Sequence, residues 1–215
     1  MSGKFITFEG PEGSGKSTHA LKVVDQLRRL GIKVLHTREP GGTPLGESIR
    51  NLLQHDSAGE TPVNLAEVLL FCASRAQLVQ SVIRPALQNG TWVICDRFTD
   101  STIAYQGFGR GLDINMLHAL NNFATNGLKP DLTMLLDVPT EIGMQRINQR
   151  SAATSNVIDR IENEAFDFHC RLRNGFLTLA KNEPNRFRVI NTSADVTEVE
   201  HKIWQAIKTW YGFDC

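Results

Sequence analysis

The chain has 215 residues, and its 23 basic and 23 acidic side chains give a formal net charge of zero. With 41% hydrophobic and 21% charged residues, it has the composition of one globular domain with a sizeable core, not of a disordered chain or a coiled coil. The neutral balance of charges disfavours a general nucleic-acid binder. No run approaches the ~18 apolar residues of a membrane span, and the N-terminus lacks a signal-peptide core. We therefore expect a cytoplasmic protein.

Short apolar strands alternate with longer helical segments along the chain. The predicted strands cover residues 5–9, 34–35, 91–95, 132–136 and 188–190. The predicted helices cover about 16–30, 44–54, 64–88, 139–150, 160–182 and 195–210. This alternation predicts a single α/β domain over residues 1–215, with a five-stranded parallel sheet that is covered by helices on both faces.

Three further features shape the expectations about structure and chemistry. Residues 151–156 are small and polar and lie between two predicted helices that carry arginines, so we interpret them as a mobile loop. The six histidines form no metal-ligand cluster, which leaves a metal that arrives with a phosphate substrate. No cysteine pair has C-x-x-C spacing, so we expect reduced thiols at Cys72, Cys95, Cys170 and Cys215.

Residues 10–17, GPEGSGKS, match the phosphate-binding pattern G-x-x-x-x-G-K-[ST] at every fixed position, between a predicted strand and a predicted helix. The glycines let successive backbone N–H groups point at phosphate oxygens, and the following helix adds its positive N-terminal end. We expect Lys16 to reach the β- and γ-phosphates and the Ser17 hydroxyl to ligate Mg²⁺. The predicted ATP site comprises Gly10, Pro11, Glu12, Gly13, Ser14, Gly15, Lys16, Ser17 and Thr18.

This loop indicates a nucleoside triphosphate site without indicating the reaction. A guanine-reading N-K-x-D sequence is missing, which disfavours a GTPase, and the chain is short for a motor or transporter ATPase. A small kinase remains, and it must hold an acceptor opposite the γ-phosphate. A nucleotide sensor that binds without turnover is the alternative from another class, and arginines on both sides of the site disfavour it.

Asp96 and Arg97 follow a predicted buried strand at its carboxyl end, where ligands gather in open α/β sheets. There Asp96 can hold Mg²⁺ through water, and Arg97 can clamp an acceptor phosphate with two hydrogen bonds. Taken alone, the pair is equally consistent with a surface ion pair at the end of a strand.

The helix predicted over 64–88 carries two apolar stripes. The core stripe is predicted at Leu65, Leu69, Cys72, Ala76, Val79 and Ile83. The neighbouring stripe places Phe71 and Arg75 four residues apart on one face. Arg75 in such a stripe needs a partner, which is either a ligand carbonyl or phosphate or a carboxylate in the core; without the phosphate-binding loop, the core carboxylate is the preferred reading.

Six motifs follow one another along the chain: the phosphate-binding loop with Glu12, residues 37–43 (TREPGGT), Phe71-x-x-x-Arg75, residues 96–98 (DRF), residues 101–107 (STIAYQG) and residues 159–162 (DRIE). This is the order found in bacterial thymidylate kinases, and the chain resembles this family from Phe5 to the closing helix. The resemblance implies a P-loop kinase fold and transfer of a phosphoryl group from ATP to dTMP with Mg²⁺. Family members are commonly homodimers.

The resemblance also implies roles around the base. Phe71 would stack on thymine, and Arg75 would donate to its O4. Thr102 and Gln106 would lie near the base edge, with Tyr105 against C2′ of the sugar.

For the phosphate and the sugar, the resemblance implies that Arg97 clamps the 5′-phosphate with Arg38 nearby, and that Glu12 contacts the 3′-hydroxyl. Ser101 and Pro40 complete the implied dTMP site, and a cis peptide bond precedes the corresponding proline in family members.

The phosphate-binding loop offers no basic residue besides Lys16, so the charge that faces the transferred phosphoryl group must come from a lid at about residues 146–160. Arg150 and Arg160 are the preferred catalytic candidates beside Lys16 and Arg97, with Arg146 and Arg38 as alternatives. The runner-up activity is a deoxynucleoside kinase, which needs a base to deprotonate a sugar hydroxyl. The chain has several arginines that could hold an acceptor phosphate, which favours a monophosphate acceptor. The predicted partners are therefore ATP and dTMP, with no nucleic acid or membrane.

Overall fold

Five parallel strands form one sheet in the order β2-β3-β1-β4-β5 in the computed structural model, which describes residues 3–54, 59–154 and 160–213. The strands are β1 (Phe5–Glu9), β2 (Val34–Arg38), β3 (Trp92–Asp96), β4 (Leu132–Asp137) and β5 (Phe187–Asn191). All neighbouring pairs are parallel. The predicted five-stranded parallel sheet is confirmed, and every predicted strand overlaps an observed one.

Helices connect these strands. They are α1 (Lys16–Arg29), α2 (Pro44–Gln54), α3 (Asn64–Leu78), α4 (Arg84–Gln88), α5 (Thr99–Thr102), α6 (Ile114–Thr125), α7 (Thr140–Thr154), α8 (Phe166–Asn182) and α9 (Val196–Tyr211). A π-helical turn, Val79–Ile83, joins α3 to α4, so the helix predicted over 64–88 is one continuous helical stretch. A second π-helical segment, Ile103–Gly109, follows α5.

The sequence patterns misplaced the ends of two helices. Helix α7 continues to Thr154, so the first four residues of the predicted loop at 151–156 are helical, because small residues do not by themselves end a helix. Residues 155 and 156 lie outside the described residues. Helix α8 begins at Phe166 rather than at 160, since residues 160–164 form turns and a bend.

Helices cover both faces of the sheet, as predicted. Successive side chains of a strand point to opposite faces. Ile6 and Phe8 of β1 therefore pack in one cluster with α1 and α9, which contribute residues such as Val24 and Ile203. Phe5 points to the other face and packs with Leu78 at the end of α3.

The predicted core stripe of this helical stretch is only partly right. Cys72, Val79 and Ile83 are buried as predicted, but Leu65 and Leu69 are each 56% exposed. The buried face of α3 includes Glu67 and Arg75, because both find partners inside the protein, and this leaves Leu65 and Leu69 outside. Helices α3 and α4 with their π-helical turn, Asn64–Gln88, have the length and composition of a membrane span, with a mean hydropathy of 1.3 over an 18-residue window, but their inner face packs in the core described above.

Candidate active site

The carboxyl ends of the strands meet at one edge of a parallel sheet, where ligands bind in this architecture. The phosphate-binding loop follows β1, Glu39 and Pro40 follow β2, and Asp96 ends β3. The Glu39–Pro40 peptide bond is cis, as expected. These segments surround a cavity of about 490 Å³.

The cavity brings together most of the predicted site residues. Those that line it are Glu12, Gly13, Gly15, Lys16, Ser17, Thr18, Arg38, Pro40, Phe71, Arg75, Asp96, Arg97, Ser101, Thr102, Tyr105, Gln106 and Arg150. Among the described residues, the predicted positions that lie outside this lining are Gly10, Pro11, Ser14 and Arg160.

The phosphate-binding loop folds back over Lys16. The buried Lys16 Nζ donates to the carbonyl oxygens of Gly10 at 3.0 Å and Pro11 at 2.8 Å. Gly13 has a φ of 71°, and a Cβ at this position would lie 2.3 Å from the carbonyl oxygen of Gly143 in α7, so no larger residue fits. Burial and the charge of Arg97 lower the pKa of Lys16 to about 8. The negative charge of a bound phosphate chain would raise this pKa again.

Ser17 and Asp96 form an oxygen-lined corner beside Lys16. The Ser17 hydroxyl donates to Asp96 Oδ2. The other carboxylate oxygen, Oδ1, is buried and receives no hydrogen bond from any residue in the described part of the chain. A buried carboxylate oxygen without a donor suits a hard cation, because such ions prefer oxygen ligands. The donor set therefore fits Mg²⁺.

Arg97 pairs with Glu12 rather than with its neighbour Asp96. Its Nη2 donates to Glu12 Oε1 at 2.6 Å, its Nη1 donates to the Tyr105 hydroxyl at 2.8 Å, and that hydroxyl donates to the same Glu12 oxygen at 2.6 Å. Burial alone would raise the pKa of Glu12, but Arg97 and Lys16 outweigh it and lower the pKa to about 2. This cluster, which we call the Arg97 cluster, is thus an ionised, hydrogen-bonded unit that faces the cavity.

The backbone under the Arg97 cluster is held by Glu9, a residue that the sequence patterns missed. Arg97 has a φ of 67°, which is unusual for a residue with a side chain. The oxygens of the fully buried Glu9 carboxyl group accept hydrogen bonds from the Phe98 N–H at 2.7 Å and from the Ser101 hydroxyl at 2.6 Å. Burial and the Asp100 carboxylate raise the pKa of Glu9 to about 8. Its position at the end of β1 was the available signal.

Arg75 has the core carboxylate partner that its sequence position left open, and it also lines the cavity. It is 1% exposed, and its Nε donates to Glu39 Oε2 at 2.8 Å, so a core carboxylate does pair with it. Its Nη1 donates to Thr102 Oγ1 at 2.9 Å and to Asn121 Oδ1 at 2.5 Å. Arg75 also lines the cavity beside Phe71, so the same guanidinium is held in a fixed position next to ligand space.

The predicted lid arginines occupy different places. Arg150 donates to Glu162 Oε1 at 2.5 Å, and both side chains line the cavity. Arg146 also lines the cavity and donates to the carbonyl oxygens of Gly13 at 3.3 Å and Thr192 at 2.9 Å. Arg160 instead donates to the buried Glu67. Of the residues 159–162, the first lies outside the described residues.

Two more basic residues stand at the rim near Pro40. Arg38, which is half-exposed, donates to Glu47 Oε2 at 2.8 Å. Arg50 of α2, which the sequence analysis did not select, lines the cavity and donates to the carbonyl oxygen of Pro40 at 3.1 Å. Arg50 carries no motif signal, and only the packing of α2 brings it to the cavity.

Comparison with known proteins places the chain among nucleotide kinases. A family model described as thymidylate kinase matches residues 8–203. The chain is 47% identical over 209 residues to the thymidylate kinase of Geotalea daltonii, covering 95% of this chain and 96% of that protein. It is 48% identical over 208 residues to the thymidylate kinase of Desulfovibrio desulfuricans, covering 96% and 95%.

A solved structure gives the same result. The crystal structure of thymidylate kinase from Ehrlichia chaffeensis superposes with a TM-score of 0.77 at 35% sequence identity. The match covers 97% of this chain and 99% of that one, so the similarity extends over the whole fold and is not confined to the phosphate-binding loop.

Proposed function

The chain belongs to the thymidylate kinase family and phosphorylates dTMP to dTDP, and we propose that it does so by in-line transfer from ATP without a covalent enzyme intermediate. The observation that carries the mechanism is that the same cavity holds the phosphate-binding lysine, Lys16, and the Arg97 cluster. The first suits the donor's phosphates, and the second suits an acceptor's phosphate. Catalysis of phosphoryl transfer consists mainly of such positioning and charge stabilisation.

On the acceptor side, Arg97 binds the 5′-phosphate of dTMP. Its guanidinium is already fixed by Glu12 and Tyr105, so little side-chain freedom is lost when the phosphate binds. Glu12 stays ionised at neutral pH because its pKa is about 2, and it is a poor general base for that reason. A deoxynucleoside kinase, which must deprotonate a sugar hydroxyl, is not favoured.

On the donor side, the loop from Gly10 to Ser17 surrounds the phosphates of ATP, and Lys16 exchanges its carbonyl partners for phosphate oxygens. Ser17 and Asp96 would hold Mg²⁺, which when bound neutralises part of the charge on the β- and γ-phosphates. Arg150 stabilises the charge that spreads over the transferred group, since it lines the cavity and Lys16 is the only basic residue of the loop.

The base pocket lies at Phe71 and Arg75. Phe71 stacks on the thymine ring, and Arg75 donates to O4. All the polar groups that hold Arg75 are buried, so a base that presents a donor at this place leaves the pocket mismatched. Thr102 and Gln106 lie at the base edge, and Tyr105 lies against C2′, where it excludes a ribose hydroxyl. Arg38, Pro40 and Ser101 complete the dTMP site.

We also propose that the protein works as a homodimer in the cytoplasm. Leu65, Leu69 and Ala73 form an exposed stripe at four-residue spacing on α3. An apolar stripe on a helix of this length is typical of an interface between subunits.

The test of this function is the acceptor dependence of ADP release. With Mg²⁺ and ATP, the purified protein should release ADP rapidly with dTMP and at background rates with thymidine or with no acceptor. ADP release that is equally fast with thymidine would support a deoxynucleoside kinase. Nucleotide binding with no acceptor-dependent turnover would support a sensor.

A further inference from the structure

Glu67 of α3 is a buried carboxylate with no assigned role. It is 0% exposed and lies one turn before Phe71. Its Oε1 accepts hydrogen bonds from Gln106 Nε2 at 3.0 Å and Arg110 Nε at 2.9 Å. Its Oε2 accepts from Arg110 Nη2 at 3.3 Å and from Arg160. Glu67 therefore joins α3, the second π-helical segment and the turn before α8.

The carboxylate is ionised in this setting. Burial alone would raise the pKa of Glu67, but the hydrogen bonds from Arg110, Gln106 and Arg160 outweigh it and leave the pKa below its usual value. An ionised carboxylate accepts hydrogen bonds and cannot donate one.

This property fixes the side-chain amide of Gln106. An amide has a donor end, Nε2, and an acceptor end, Oε1. Only the donor end can face Glu67, so Oε1 must face away from it. Gln106 is 2% exposed and lines the same cavity as Phe71 and Arg75, so the end of its amide that is left for a bound base is the acceptor.

We propose that Glu67 is a positioning residue that sets base selectivity by holding Gln106 with its amide oxygen toward the base. The proposal rests on the function proposed above, because it requires that a pyrimidine occupies the pocket at Phe71 and Arg75. Thymine carries a donor, N3–H, at the position where cytosine carries an unprotonated acceptor nitrogen. An outward amide oxygen therefore matches thymine at N3 and opposes cytosine.

Arg75 and Gln106 then read two adjacent positions of the base, O4 and N3. Each is held by a buried carboxylate, Glu39 for Arg75 and Glu67 for Gln106. Because these partners are part of the core, neither reading group can turn to suit the wrong base without leaving a buried polar atom unpaired.

The experiment compares kcat/KM for dTMP and dCMP in the wild type, Glu67→Gln, Gln106→Met and the double variant. A glutamine at 67 can donate to Gln106 Oε1, which lets the Gln106 amide turn its Nε2 toward N3 of cytosine. Glu67→Gln should lower the preference for dTMP over dCMP by about tenfold, while Arg75 still opposes the cytosine amino group. In the Gln106→Met background, the same change at 67 should alter the preference less than about twofold.

Two control variants separate positioning from structural damage. Glu67→Asp keeps an acceptor-only carboxylate and should keep the preference within about threefold of the wild type, whatever its turnover. Glu164→Gln removes the other carboxylate bound to Arg110, at 2.7 Å, without touching Gln106, and should leave the preference unchanged. The proposal is overturned if Glu67→Gln lowers dTMP and dCMP turnover in equal proportion, or if it shifts the preference equally with Met at 106.

A measurement on the wild type does not depend on any variant folding. N3-methyl-dTMP lacks the N3–H donor, and the wild type should phosphorylate it at least about tenfold less efficiently than dTMP. Efficient phosphorylation of N3-methyl-dTMP beside efficient phosphorylation of dTMP would overturn the role of Glu67 and leave the kinase function intact. Failure to phosphorylate dTMP itself would contradict the proposed function instead.

Discussion

Arg97 is the residue on which the acceptor side depends, because its guanidinium is fixed before any ligand binds. Replacing Arg97 with alanine should raise the KM for dTMP by about 10²-fold and lower kcat less. The reason is that Arg97 already binds the 5′-phosphate in the ground-state complex, before the transition state. Steady-state kinetics with dTMP as the varied substrate measures this. Arg188→Ala is the matched control, because Arg188 packs over the Trp210 ring, with its Cζ 4.5 Å from the ring centroid. A kcat loss at unchanged KM in Arg97→Ala would contradict the assignment.

Glu9 makes stability depend on pH. Its pKa is about 8 in the folded protein against an ordinary 4.5, so between these values the folded state holds a proton that the unfolded state has released. The stabilisation is fully present below about pH 4.5 and is lost as the pH rises through about 8. Glu9→Gln should remove this part of the pH dependence. Between low and high pH, the free energy of unfolding of the wild type should change by over about 1.4 kcal/mol more than that of the variant, which is the equivalent of one pKa unit.

Chemical denaturation of both proteins between about pH 5 and about pH 8.5, the range in which Glu9 should titrate, measures this difference in the free energy of unfolding. Glutamine keeps an oxygen for the Phe98 N–H, so the variant should fold. Parallel stability curves for the two proteins would show that Glu9 is ionised throughout.

Among single residues, those that belong to motifs could be predicted from the sequence, whereas those whose role depends on packing could not. Lys16, Ser17, Asp96 and Arg97 lie in short patterns with a known spacing, and all four line the cavity. Glu67 has no such pattern, because its role depends on side chains 39, 43 and 93 residues away along the chain. Only the folded structure shows these partners.

Among the elements, α7 supplies the arginine for the transferred phosphoryl group. Arg150→Ala should lower kcat by about 10²–10³-fold with little change in the KM for dTMP, because the charge it stabilises develops in the transition state. Arg160→Ala should lower kcat much less and destabilise the fold, since it leaves Glu67 with fewer partners. Turnover and thermal unfolding of both variants test this, and normal turnover of Arg150→Ala at saturating substrates would contradict it.

The five strands were predictable because buried parallel strands are short apolar runs. Helix α6 was missed, because polar residues such as Asn121 and Thr125 occupy buried positions on it and interrupt the apolar spacing. The exposure of Leu65 and Leu69 on α3 was also missed, since it depends on partners for Glu67 and Arg75 that lie on other elements.

At the scale of the whole molecule, the exposed stripe on α3 predicts assembly. Leu69→Glu should shift the protein from a dimer to a monomer in sedimentation equilibrium, because a charge in an apolar interface stays unpaired. Leu30→Glu, at a residue that is 55% exposed at the end of α1, is the control and should leave the mass unchanged. A wild-type protein that sediments as a monomer at micromolar concentrations would contradict the proposed dimer.

The central reaction is the transfer of one phosphoryl group from ATP to dTMP across the cavity between Lys16 and Arg97. The direct test is to separate the nucleotides formed by the purified protein from Mg²⁺, ATP and dTMP. We predict equal amounts of ADP and dTDP from the wild type, and neither above background from a folded Lys16→Ala variant. Formation of ADP without dTDP, or normal dTDP formation by Lys16→Ala, would contradict this transfer.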